Sequence, residues 1–152
     1  MSIYRVDKTE LPVVLFQADG SVMKGVVFLN ASAYNHLGRQ TLLDLMKEKE
    51  TFFPFRREDG AFSITNKRTI THVRYKPASS EKDYRPPDSA EDVVITFVGG
   101  EQLQGTITID LPEGRKRLID FINAAKGFFP MQTDEAEHLV NVDQIRDIKT
   151  AR

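Results

Sequence analysis

The sequence contains two copies of one pattern, and this repeat is the strongest constraint on the fold. Residues 39–55 (RQTLLDLMKEKETFFPF) align without a gap with residues 115–131 (RKRLIDFINAAKGFFPM), and six positions are identical. Before this block, each copy has a glycine turn between two apolar runs. After it, each copy has an apolar-Xaa-Asn-Xaa3-Ile string, ITNKRTI at 64–70 and LVNVDQI at 139–145. Agreement over three consecutive segments predicts a duplicated unit.

The repeat also predicts the domain organisation. A chain of 152 residues can form one ordinary domain or two small ones, and the repeat favours two. We predict a first lobe at residues 9–76 and a second at 91–150. Residues 77–90 (PASSEKDYRPPDSA) are rich in proline and serine and read as a linker. Because lobes of roughly 70 residues have thin cores, we expect them to pack together, through helix or Phe-Phe-Pro surfaces or across a dimer.

Each copy predicts the element order β-β-α-β-β-β. Two apolar runs around a glycine turn form a first hairpin, and apolar residues at helical spacing follow. Phe-Phe-Pro then starts an extended segment, because the residue before proline avoids helix. Gly25 and Gly105 interrupt the second strand of each copy, which indicates a tight bend. We therefore predict a mostly β (α+β) fold with two tandem small-barrel-like lobes from an internal duplication.

This pattern resembles two kinds of known domain. Five short strands with a curved early hairpin resemble the SH3-like and Sm-like small barrels, although Sm domains place their helix before the first strand. The string Arg-Xaa4-Asp, Phe-Phe-Pro, Asn-Xaa3-Ile also resembles tandem bacterial domains of unknown function, and that resemblance implies no activity. The Sm-like resemblance implies nucleic-acid binding, but the RNA-contacting strings of the Sm ring are not recognisable.

Several kinds of chemistry find no support in the sequence. The chain has no cysteine, so disulfides and thiolate sites are excluded. The histidines, His36, His72 and His138, do not occupy matching positions in the two copies and show no metal-ligand spacing. No nucleophile elbow, Walker loop or dinucleotide fingerprint occurs. We predict a protein that is not an enzyme and has no cofactor or metal.

The amino-terminal sequence and the hydropathy predict the location. Residues 1–10 (MSIYRVDKTE) lack an apolar signal core. No apolar run approaches the roughly 18 residues of a membrane-spanning helix. We therefore expect a cytoplasmic protein with no membrane partner.

Two pairs of repeated polar residues have structural interpretations. Asn66 and Asn141 stand where a strand meets a tight step, and asparagine there usually bonds its own backbone. Asp44 and Asp120 lie in the helices, where we expect them to cap the helix or to pair with Arg39 and Arg115.

The repeated phenylalanine pairs are candidates for an interface. They are Phe52, Phe53, Phe128 and Phe129. Alternation along a strand places one residue inside and its neighbour outside. We expect at least one of each pair in the core and the other at an interface between lobes or subunits.

Basic residues cluster near the end of the first lobe: Arg56, Arg57, Lys67, Arg68 and Arg74. If the turns at 56–60 and 66–69 are neighbours, these residues form one positive edge, interleaved with Phe55, Phe62 and Tyr75. Such an edge could bind nucleic acid by charge and stacking. Alternatively, it is a solvated edge that protects open strands from pairing.

The net charge of the chain is unevenly distributed, and the excess of positive charge lies in the part that contains the basic cluster. Residues 1–76 carry a net charge of +4 and residues 77–152 a net charge of −5, which together give the overall −1. Either two oppositely charged lobes pack together, or the first lobe meets a polyanion.

Three functional hypotheses remain. The first is a non-catalytic bacterial interaction or scaffold protein, acting on a protein partner or by self-association. The second is nucleic-acid binding through the basic edge. The third is a small-molecule sensor with a ligand site between the lobes.

Overall fold

The computed structural model describes residues 8–31, 38–77, 90–109 and 117–151, which form ten strands and two short helices. The predicted mostly β fold is confirmed. Most of the linker, and His36 and Arg115, lie outside the described residues. Within the described ranges, no helix is long and apolar enough to cross a membrane. We refer to residues 8–77 as the first half and to residues 90–151 as the second half.

The elements follow the same order in both halves. In the first half they are β1 (Lys8–Gln17), β2 (Val22–Asn30), α1 (Leu42–Lys47), β3 (Phe52–Arg57), β4 (Phe62–Asn66) and β5 (Ile70–Tyr75). In the second half they are β6 (Ala90–Phe97), β7 (Gln102–Thr108), α2 (Leu118–Ala124), β8 (Phe128–Gln132), β9 (Glu137–Asn141) and β10 (Ile145–Thr150). A 3-10 turn, Lys67–Thr69 or Val142–Gln144, precedes the last strand of each half.

All ten strands belong to one antiparallel sheet with the order β10-β6-β7-β8-β9-β5-β1-β2-β3-β4. Each half contributes five adjacent strands in a corresponding order, and the two sets meet where β9 pairs with β5. The sheet is open, and among the described strands the outer edges of β4 and β10 pair with nothing. The predicted small barrels are therefore not closed. The 3-10 turn directs each last strand away from its predecessor and onto the first strand of its own half.

The strand glycines allow neighbouring backbones to approach closely. A Cβ on Gly25 would lie 2.1 Å from the carbonyl oxygen of Arg56, and one on Gly105 would lie 2.3 Å from that of Gln132. Both distances are impossible for a side chain, so only glycine lets β3 and β8 reach their partners here. The sequence predicted a tight bend at these positions; the reason for glycine that the structure shows is the close approach of the neighbouring strand.

The short polar residues of the repeat cap helices and turns. Thr41 and Asp44 form a capping box at the start of α1, with bonds of 2.9 and 3.1 Å. Asp120 instead pairs with Arg117 at 3.0 Å. Asn66 accepts from the Arg68 amide and Asn141 from the Asp143 amide, as the sequence predicts for turn residues (the two bonds are 2.9 and 3.1 Å).

The two apolar cores share residues across the halves. The first core is built from strands β1, β2, β3 and β5 and from α1, but it also contains Phe128 and Leu139 of the second half. Phe129 and Val140, their chain neighbours, belong to the second core. Because side chains alternate along a strand, β8 and β9 supply both cores and bind the halves together.

Candidate interaction surfaces

The junction between the halves is a buried strand pair. Val73 of β5 lies opposite Leu139 of β9, and His72 lies opposite Val140. α1 packs against β8 beside this ladder. Leu139 and Val73 are fully buried, so the junction has the character of a protein interior.

Two buried histidines meet at the junction. His72 Nδ1 and His138 Nδ1 lie 3.1 Å apart, and the His72 ring stacks between Phe16 and Phe97, with centroid distances of 4.1 and 5.3 Å. The Thr133 hydroxyl donates to the Ala136 carbonyl, so it can accept from His138 Nε2 at 3.3 Å. His138 Nδ1 then accepts the His72 Nδ1 proton, which fixes both rings as neutral tautomers.

Burial keeps both rings neutral. Burial, and then the neighbouring His138 and Arg74, together lower the pKa of His72 from 6.5 to about 3. Burial, and then Arg74, lowers the pKa of His138 to about 4. A charged imidazole would lack water here and would face a second positive group, so the junction disfavours protonation. The sequence offered no signal for this pair, because the two histidines do not match in the repeat.

Two amide side chains also cross the junction. Asn141 Nδ2 donates to the Ile70 carbonyl at 3.0 Å, and Gln144 Nε2 donates to the Arg68 carbonyl at 2.6 Å. These bonds add two side-chain contacts between the halves beside the β5–β9 ladder.

The outer edge of β4 carries exposed apolar side chains. Phe62 is 66% exposed, Ile64 78% and Phe52, opposite Asn66, 54%. The other face of β4 holds Ser63 and Thr65, whose hydroxyls bond each other at 2.9 Å. Alternation in the sequence FSITN could have revealed this apolar face. We call Phe52, Phe62 and Ile64 the β4 edge patch.

The phenylalanine pairs therefore differ between the halves. Phe53 and Phe129 are buried in the cores of their own halves. Phe128 is also buried, but in the first core, so it lies between the halves. Phe52, its counterpart, lies on the β4 edge patch.

The basic residues do not form one edge. β3 and β4 pair Arg56 with Phe62 and Phe52 with Asn66, so the turn after β3 and the 3-10 turn lie at opposite ends of β4. That separation is roughly 13 Å along the strand. Of the three expected stacking residues, Phe55 is fully buried, Tyr75 is partly buried and Phe62 is 66% exposed.

Four of the five basic side chains have contacts in the structure, since Arg57 Nε also lies 4.0 Å from Asp59 Oδ2. Arg56 pairs with Glu10 and lies over the Phe28 ring. Arg74 lies over the ring of Phe16, 5.5 Å from its centroid.

Lys67 is buried, and its Nζ donates to the carbonyls of Leu45 and Glu48. Arg57 and Arg68 are exposed. Nucleic-acid binding stays a prediction, with Arg57 and Arg68 as its exposed candidates.

An open groove of about 410 Å³ lies where the halves meet. Its walls come from β1, β2, β5 and the turn between β8 and β9, and include Leu11, Tyr75 and Ala136. Charged residues Lys24, Glu58, Arg74, Lys76 and Glu135 also line it. The predicted small-molecule site between the lobes would lie here, and it stays a prediction.

In the parts of the chain that the structure describes, no three His, Asp or Glu side chains converge as metal ligands would. Comparison with models of known families, with curated proteins and with solved structures gave no significant match.

Proposed function

We propose that this protein is a non-catalytic interaction protein that binds partners through the open edges of its sheet. The observation that carries the proposal is the β4 edge patch, in which three large apolar side chains are each more than half exposed. Phe62 and Ile64 lie on β4, and Phe52 lies on the neighbouring β3. The outer backbone groups of β4 have no partner strand among the described residues. An exposed apolar edge strand is a template for strand addition.

Two further observations support this proposal. The strand order of the two halves corresponds, which favours an origin by duplication of a small-barrel-like unit. The groups with the largest pKa shifts in the described residues, His72 and His138, are buried between strands and bond each other. Their shifts therefore have a structural cause at the junction and need no catalytic explanation.

Site-specific photo-crosslinking in cells tests the proposal. p-Benzoylphenylalanine placed at Ile64 should give covalent adducts on irradiation, because this side chain would lie inside the interface. The matched control is the same residue placed at Val22, which is 52% exposed but lies on β2, away from both sheet edges. Equal adducts at both positions, or none at 64, would reject edge binding.

A further inference from the structure

The two open edges of the sheet correspond to the two strands that already pair inside the chain. β4 holds the position in the first half that β9 holds in the second, and β10 corresponds to β5. Inside the chain, β9 and β5 form the junction. Each molecule thus has one further β9-like edge, on β4, and one further β5-like edge, on β10.

Equivalent residues of the two halves are buried to different extents. The difference is the one expected if β4 is a junction strand without its partner strand. Leu139 is 0% exposed and Phe128 is 3% exposed, because both enter the core of the other half. Their counterparts in the repeat, Ile64 and Phe52, are 78% and 54% exposed. The side chains that would enter a neighbouring core are present on β3 and β4, but no neighbouring core covers them.

The receiving side shows the complementary difference. On β5, Ile70 and Val73 are fully buried, whereas their counterparts on β10, Ile145 and Ile148, are only partly buried. Three residues of α1, the helix that packs against β8, are buried, and none of α2 is. Ile119 of α2 is 59% exposed.

We infer that β4 of one molecule pairs with β10 of a second copy, head to tail, and so repeats the β9–β5 junction. Transferring the junction register places Ile64 opposite Ile148, as Leu139 lies opposite Val73. Phe52 would then pack beside α2 of the second copy. This inference rests on the proposed function and names the partner of the β4 edge patch.

A buried polar atom on β10 supports the same pairing. The side chain of Asp147 is 41% exposed and its Oδ2 pairs with Arg146 at 2.9 Å, but its Oδ1 is buried and has no hydrogen-bond partner in the described structure. Asp147 and Ser63 occupy the positions that correspond to His72 and His138, which bond each other across the junction. The hydrogen bond between Ser63 and Thr65 uses one of their two hydroxyl protons. The remaining hydroxyl proton can be donated to Asp147 Oδ1 of a second copy.

Such a contact is heterologous, because it joins different surfaces of the two copies. Repetition produces a closed ring if the rotation closes and a filament if it does not. In either assembly each added copy buries one β4 edge patch and one α2–β10 face.

The test measures molar mass by light scattering over a range of concentrations. Wild type should have a mass of two or more 17.3 kDa chains. Ile64→Lys and Ile119→Lys should each give single chains, since one blocks the β4 edge and the other the α2 face. Val22→Lys should assemble like wild type. Circular dichroism confirms that each variant is folded.

A mixture of the two blocked variants tests the head-to-tail geometry. Each retains the edge that the other has lost, so an equimolar mixture should form a dimer and nothing larger. A pair of like edges would instead leave one variant able to dimerise alone, and that result would overturn the inference. So would a wild-type chain that stays monomeric at every concentration.

The crosslinking experiment separates this inference from the proposed function. Adducts from position 64 should map to α2 or β10 of the same protein. Adducts only to another protein would overturn self-assembly and retain edge binding. The absence of any adduct would overturn both.

Discussion

Lys67 Nζ lies 2.7 Å from the Leu45 carbonyl and 3.2 Å from that of Glu48, at the end of α1. Carbonyls in the last turn of a helix have spare acceptor capacity, and the buried ammonium group donates to two of them. Burial lowers the pKa of Lys67, and Glu48 and Glu50 oppose that shift. The side chain thus ties the 3-10 turn after β4 to the helix before β3.

We predict that Lys67→Met lowers the free energy of unfolding by about 1–3 kcal/mol, because the Leu45 and Glu48 carbonyls each lose one hydrogen bond while the side chain keeps its length. The matched control is Arg68→Met, which removes the neighbouring exposed charge and should change stability by less than about 0.5 kcal/mol. Urea denaturation of the two variants measures the difference. Equal effects would show that Lys67 acts as an ordinary surface residue.

The basic-edge hypothesis treated Lys67 and Arg68 alike, because composition cannot tell which side chain of a turn faces inward. That choice depends on contact with α1, 22 residues earlier in the chain. The repeat did contain a signal. The position aligned with Lys67 is Val142, which packs partly against the second core, whereas Arg68 aligns with Asp143.

At the scale of elements, local pattern predicted most of the order. The alternating apolar runs and the two Phe-Phe-Pro strings lie in strands of the structure, and the glycine turns lie between strands. β1 begins at Lys8, earlier than its apolar run, because Lys8–Pro12 pairs with the far end of β2. Such an extension depends on a partner strand and leaves no mark in local composition.

The histidine pair makes the β5–β9 junction sensitive to acid. In the unfolded chain each ring takes up a proton as the pH falls through its ordinary pKa of 6.5. The folded rings stay neutral until the pH approaches about 4 for His138 and about 3 for His72. The unfolded state therefore binds more protons in this window, and stability falls as the pH falls.

We predict that the free energy of unfolding decreases between pH 7.5 and pH 5, by on the order of 2 kcal/mol for each histidine at pH 5. Urea denaturation at a series of pH values measures this dependence. In the double variant His72→Leu/His138→Leu the pH dependence should be much shallower. An unchanged slope in that variant would assign the acid sensitivity to other groups.

At the scale of the molecule, the sequence predicted two units but not how they join. Helix or Phe-Phe-Pro packing was expected. In the structure the main link is the β5–β9 ladder, with Phe128 and α1 beside it. Strand pairing between elements more than 60 residues apart depends on which edges are left open after each half forms, and local patterns do not record it. The difference in burial between Leu139 and Ile64 likewise depends on which strands are neighbours, and the local sequence does not show it.

The difference in burial gives the last prediction. Replacing Leu139 or its equivalent Ile64 by alanine should change the free energy of unfolding by unequal amounts. Leu139→Ala removes a side chain from the core of the other half and should cost about 2–5 kcal/mol. Ile64→Ala, in dilute protein, changes an exposed residue and should cost less than about 0.5 kcal/mol. Since Leu139 belongs to the first core, hydrogen exchange should show faster opening of β1 and β5 as well as β9 in Leu139→Ala. Loss of protection confined to the second half would mean that the halves unfold as independent units.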